Sequence, residues 1–157
     1  MTHMTDNPAP SGSPQLTTFF TADDAAAALD FYVSVFGATV VTRFEGPDGK
    51  VAHADVRLGD AMFQVGEAAP DMGLMPPLTE GNNFTMTFWT TDPDGVYARA
   101  VEAGATGLGE PSDQFSGDRM GVLRDPAGIR WCLARHDKDV PPEEIDAAVK
   151  KWMAEQV

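Results

Sequence analysis

Few side chains in this sequence could do chemistry, and they cluster in two short runs. His53 lies in "VAHADVRL" with Asp55 two positions on. Residues two apart on a strand share a face, so this imidazole and carboxylate can form an acid–base or orienting pair. A plain solvated strand face fits the same pattern. Cys132, the only cysteine, sits at the centre of "IRWCL". A nucleophilic thiolate would need a base or a positive neighbour to lower its pKa. Arg130 is the one cation near it by strand parity, and no histidine is placed as its base. A small apolar filler is the stronger reading. His136 follows the last strand and reads as surface, and His3 lies near the start of the chain. Arg119, in "GDRMG", could reach an anionic group or pair with its neighbour Asp118.

These residues need strands to hold them. "MTHMTDNPAPSGSPQ", residues 1–15, is rich in Pro, Ser and Asn and reads as a disordered leader. From Leu16, "LTTFF" predicts a strand. Asp23 and Asp24 offer N-caps for the helix "AAAALDFYVSVF", and Gly37 closes it. "ATVVTRFEG" is strand-like, and "VAHADVRL", Gly59-Asp60 and "AMFQV" make a hairpin. Residues 67–83 are rich in Pro, Gly and Met and serve as a linker or a cavity loop.

The same order then recurs over residues 84–136. "NFTMTFWTT" is a strand, and Asp92 and Pro93 start a helix that Gly104 follows. A short strand and a hairpin turning at Asp125-Pro126-Ala127-Gly128 complete it. The letters repeat as well: "FGATVV" (36–41) matches "AGATGL" (103–108), and 104 − 37 sets the two glycines 67 apart. Two β-α-β-β-β modules related by a pseudo-twofold follow, in an α+β fold. Residues 16–66 form the first module and 84–136 the second. Residues 137–157 add an amphipathic helix with Ile145, Val149, Trp152 and Met153 on its stripe, expected to cover an apolar surface of its own chain or of a second subunit.

"DDAAAALDFYVSVFGA", "GKVAHADVRLGD" and "GDRMGVLRDPAGIRWCLARHDKDVPPEEI" resemble the vicinal oxygen chelate superfamily of glyoxalases, bleomycin-resistance proteins and extradiol dioxygenases, most closely its small PhnB-like bacterial branch. The resemblance spans about residues 16–144. It implies that each module curls into a half-cup and that the two halves enclose a ligand cavity. It further implies that metal-using members hold an ion with four His, Glu or Gln ligands, one from the first and one from the last strand of each module.

Carried onto this chain, those four positions fall at Thr17, Gln64, Thr85 and Cys132. Two hydroxyls, an amide and one thiol are a poor donor set for a divalent ion, so no metal and no cofactor is expected. By strand parity Phe19, Met62, Thr87, Trp89 and Arg130 face the cavity with them. Aromatic faces, a pliable methionine and scattered hydrogen-bonding groups suit a small organic ligand. Phe63, Val65, Phe84, Phe88, Trp131 and Leu133 should pack under the helices.

The formal charge is −13, from 24 acidic against 11 basic side chains. That balance disfavours nucleic acid and anionic membrane surfaces and steers cations inward. With no signal-like start and no apolar run of membrane length, the expectation is a cytoplasmic protein. Bleomycin-resistance members are acidic dimers that sequester cationic drugs, so the resemblance implies a homodimer binding a cationic or aromatic compound. A metal-dependent lyase, isomerase or dioxygenase is the alternative. A regulatory domain with a vestigial cavity is a third reading. The branch's demethylubiquinone methyltransferase label finds no Gly-rich β-α turn to hold a methyl donor.

Overall fold

Asp24 and Gly37 end the first helix as the sequence predicts. The Asp24 carboxylate accepts from Ala27 N at 3.0 Å, a cap worth about 1 kcal/mol. Gly37 takes the left-handed conformation (φ 75°), and its N–H reaches back to the helix carbonyls. The computed structural model describes residues 7–157, and the chain divides into two units, Met1–Gly81 and Asn82–Val157.

The first unit comprises β1 (Thr18–Ala22), α1 (Ala25–Phe36), β2 (Thr39–Glu45), β3 (Val51–Leu58) and β4 (Ala61–Glu67). Its sheet runs β1-β4-β3-β2, with β1 parallel to β4 and the other pairs antiparallel. Strand alternation turns Phe20, Val56, Phe63 and Val65 towards α1, where they bury with Leu29, Tyr32 and Phe36. Tyr32 meets Phe63 edge-on at 5.5 Å and stacks on Phe36 at 5.9 Å. Each such ring removes enough apolar surface to contribute about 1.5–3 kcal/mol. The opposite face of the sheet is left for chemistry.

Two stretches read as irregular have local structure. In the leader, Asn7 Nδ2 donates to Ser13 O at 2.7 Å, and Gly12 O accepts from Arg57 Nη2 at 3.0 Å. His3 lies outside the described residues. In the linker, a 3-10 turn at Pro70–Met72 is closed by a bridge between Ala69 and Leu74.

The second unit repeats the design with β5 (Met86–Trp89), α2 (Pro93–Glu102), β6 (Thr106–Asp113), β7 (Asp118–Arg124) and β8 (Arg130–His136). Its order, β5-β8-β7-β6, and its single parallel pair match the first unit. Asp92 caps α2 through Gly95 N at 3.0 Å. Leu123, Ile129, Trp131 and Leu133 form the core with Val96 and Ala100 of α2. Phe84 departs from its expected place: it precedes β5 and is 38% exposed, because alternation orients a side chain only where the strand is paired.

α3 (Pro142–Glu155) begins at the predicted prolines, but none of its residues is buried, and Trp152 and Met153 are more than half exposed. Its apolar stripe is therefore only partly covered, at Ile145 and Val149, and lies open at Trp152 and Met153.

Candidate functional site

The register of the first sheet sets four of its open-face residues in one row across all four strands. Phe19 pairs with Gln64, Gln64 with Asp55, and Asp55 with Thr42. Thr17 lies just before β1, outside this row. Gln64 Nε2 donates to Asp55 Oδ1 at 2.9 Å, and the Thr42 hydroxyl donates to Asp55 Oδ2. His53, one pair further along β3, sets Nε2 3.2 Å from the same Oδ1. The pairing of His53 and Asp55 expected from spacing thus becomes a cluster of four.

Burial alone would raise the Asp55 pKa, but hydrogen bonds from Thr42, Gln64 and His53 outweigh it and hold the carboxyl below its ordinary value. Asp55 is ionised at neutral pH and can only accept. In the neutral imidazole, the ring nitrogen facing it, Nε2, carries the proton and Nδ1 keeps its lone pair; the Gln64 amide nitrogen lies 3.5 Å from the same Nε2.

Aromatic rings flank this imidazole from both edge strands. Phe19 of β1 stacks on it at 6.0 Å with 21° between planes, and Phe44 of β2 lies at 6.3 Å. Phe44 is 61% exposed, an apolar surface beside a polar row. At the far end of the face Arg57 donates to Gly12 O and approaches Met62 Sδ at 3.3 Å. Thr42 and Phe44 belong to the site although strand parity from the hairpin cannot select them, and Arg57, at the parity of His53 and Asp55 on β3, joins them.

In the second unit the equivalent row runs Thr87, Cys132, Val122 and Gly109. It has the same geometry and no charge. Cys132 is buried, and burial pushes its thiol pKa up against the opposing pull of Arg130. A nucleophile needs the reverse, so Cys132 is packing. Arg130 donates to the Thr85 hydroxyl, while Thr87 and Trp89 lie exposed on β5.

Several other charges of this unit pair with one another. Arg119 grips Asp94 through two 2.7 Å bonds and Asp113 through a third at 3.0 Å. It does not pair with Asp118, since neighbours on a strand point to opposite faces. Asp118 instead holds His136 Nδ1 at 2.6 Å, and Asp139 holds Nε2 at 2.7 Å. The polar cleft between Asp113, Asp118 and Asp137 therefore offers carboxylates already in use, Asp137 by Arg135.

A model described as the glyoxalase/bleomycin resistance protein/dioxygenase superfamily matches residues 14–133, across both modules. The chain belongs to that superfamily. An uncharacterized protein of Mycobacterium bovis is 38% identical over 140 residues, covering 87% of this chain and 92% of its own. The anthracycline biosynthesis protein DnrV of Streptomyces peucetius is 31% identical over 121 residues, and the match covers 71% of this chain but only 43% of DnrV. Among solved structures, TioX from Micromonospora sp. ML1 superposes with a TM-score of 0.60 at 25% identity, covering 77% of this chain and 97% of TioX. A superfamily enzyme from Burkholderia phytofirmans reaches 0.63 at 20% identity over 76% and 96%, which shows the shared fold.

Membership sharpens the metal question, and the donor set answers it. The Gln64 amide is committed to Asp55, the Thr85 hydroxyl accepts from Arg130, and the Cys132 thiol is held protonated by burial. Among the described residues no three His, Cys, Asp or Glu side chains gather as a metal would require. The residues at the superfamily's ligand positions do not fit a divalent ion.

Proposed function

We propose that this superfamily member binds a small organic molecule directly through its side chains, without a metal ion, and that it sequesters an aromatic or cationic compound. The observation that carries the reading is the row Thr42–Asp55–Gln64, closed by its own hydrogen bonds and backing an imidazole between Phe19 and Phe44. Such a surface offers stacking area and a few oriented polar atoms, the mixture found in small-molecule sites. In the second unit, Thr87, Trp89 and Arg130 supply stacking and hydrogen-bonding groups of the same kind. The −13 charge favours cations at long range. DnrV, named for anthracycline biosynthesis, supports an aromatic ligand class.

The test is twofold. Protein purified without a metal-affinity tag is assayed for metal by elemental analysis, before and after incubation with Zn²⁺, Ni²⁺, Mn²⁺ and Fe²⁺. The expected content is trace, and stoichiometric metal lost in Gln64→Ala would replace this reading with metal-assisted chemistry. A thermal-shift screen of cationic and aromatic compounds should then yield ligands whose stabilisation is lost in Phe19→Ala.

A further inference from the structure

With neutral His53 donating to Asp55 through Nε2, Nδ1 is an acceptor with nothing to accept. Among the described residues it has no hydrogen-bond partner, while Nε2 is engaged by Asp55, and the side chain is 34% exposed. Gln64 spends its amide nitrogen on Asp55, which leaves its carbonyl oxygen as a second acceptor on the same face. A complementary ligand must therefore bring a donor, and Phe19 and Phe44 call for a ring beside it.

We propose that this site takes a neutral aromatic hydroxyl compound, a phenol acidified by an electron-withdrawing ring substituent, and holds it as its anion by moving the hydroxyl proton onto Nδ1 of neutral His53. The inference rests on the small-molecule reading above and names its ligand class. The ligand's O–H bond breaks, its electron pair stays on oxygen, and an N–H bond forms at Nδ1. The net charge of the complex is unchanged. The imidazolium formed lies 3.2 Å from Asp55 Oδ1, an ion pair already assembled.

Acidity selects the class. An aliphatic alcohol is too weak an acid to give its proton to an imidazole. A carboxylic acid arrives already ionised at a protein of charge −13 and has no proton to transfer. An unsubstituted phenol, like the tyrosine side chain, ionises at about pH 10 and is also too weak an acid. An electron-withdrawing ring substituent brings its ionisation down towards the range in which histidine titrates, and such a phenol still arrives neutral below that range. The other charges nearby do not compete. Arg57 on β3 is occupied by Gly12 and Met62, and Arg43 pairs with Glu45 on β2. The facing residues of β1 and β4, Phe19 and Gln64, are uncharged.

The experiment compares 4-nitrophenol with its methyl ether, 4-nitroanisole, on the full-length protein at a pH where free 4-nitrophenol is mostly neutral. Absorbance reads the ionisation state, and equilibrium dialysis reads occupancy. 4-Nitrophenol should bind about tenfold more tightly than the ether, equivalent to one pKa unit, with the bound form showing the phenolate band. His53→Gln should bind both probes alike and show no phenolate. Equal binding of both as neutral species by wild-type protein would overturn the proton transfer and leave the small-molecule reading standing. A phenolate band that persists in a folded His53→Gln would overturn the role of His53. Binding of neither probe, or of any aromatic compound in the thermal screen, would overturn both.

Discussion

Gln64 Nε2 lies 2.9 Å from Asp55 Oδ1 because the two residues face each other across β3 and β4. The amide neutralises nothing, yet it keeps a partly buried carboxylate ionised by donating to it. Gln64→Glu would set a second carboxylate against the first at nearly the same distance, and two such groups cannot both ionise cheaply. The folded-state pKa of one carboxyl should rise above its unfolded value. Stability should therefore fall by about 1–2 kcal/mol at neutral pH and recover as pH drops below about 4, where both states are protonated. Urea denaturation of Gln64→Glu and wild type at several pH values checks this. A constant difference across pH would mean that the loss is packing and not charge.

The turn that carries the superfamily resemblance is held by its aspartate. Asp125 is 4% exposed; Oδ1 accepts from Ile129 N at 3.0 Å and Oδ2 from Trp131 Nε1 at 2.8 Å. Asp125→Ala removes the carboxylate acceptor of two buried donors, each loss costing about 1–3 kcal/mol. The variant should lose about 2–5 kcal/mol, and Asp125→Asn, which keeps one acceptor, should lose less. Chemical denaturation followed by tryptophan fluorescence measures both. If the alanine variant stays within 0.5 kcal/mol of wild type, roughly the scatter of surface substitutions, the turn does not depend on these bonds.

The legible parts of the fold are those with local causes. Asp24, Gly37, Asp92 and Pro93 mark helix ends because caps act over a few residues. His53 and Asp55 are visible as a pair because parity along one strand needs no partner. Thr42 and Phe44 are not, since their place depends on how β2 pairs with β3. That ladder shifts register between Val40 and Thr42 and again between Phe44 and Glu45, and each shift defeats counting by twos. The bond from Arg119 to Asp94 likewise joins β7 to the first turn of α2, 25 residues earlier. Tertiary placement decides that partner, and no local pattern encodes it.

Cys132 should behave as a core residue. Its pKa is raised, chiefly by burial, so at neutral pH the thiol is protonated as well as hidden. Ellman's reagent should titrate one thiol per chain in denaturant and react much more slowly with the native protein. Cys132→Ser should cost about 1–3 kcal/mol for the buried hydroxyl, against less for Cys132→Ala. Rapid native modification would contradict the packing role.

His136 gives the protein a pH dependence of definite sign. Hydrogen bonds to Asp118 first and Asp139 second raise its pKa above the ordinary 6.5, while partial desolvation opposes them weakly. A histidine whose folded pKa exceeds its unfolded value stabilises the fold fully below the unfolded pKa. That contribution disappears as pH rises through the folded one. His136→Gln should therefore be less stable than wild type at pH 5.5, with the gap narrowing as pH climbs through the neutral range. The ring is half exposed, so added salt should shrink the gap at low pH. Thermal melts of both proteins from pH 5.5 to 9, with and without salt, measure it. A gap that widens with pH would reverse the assignment and place the stabilising form of His136 as neutral.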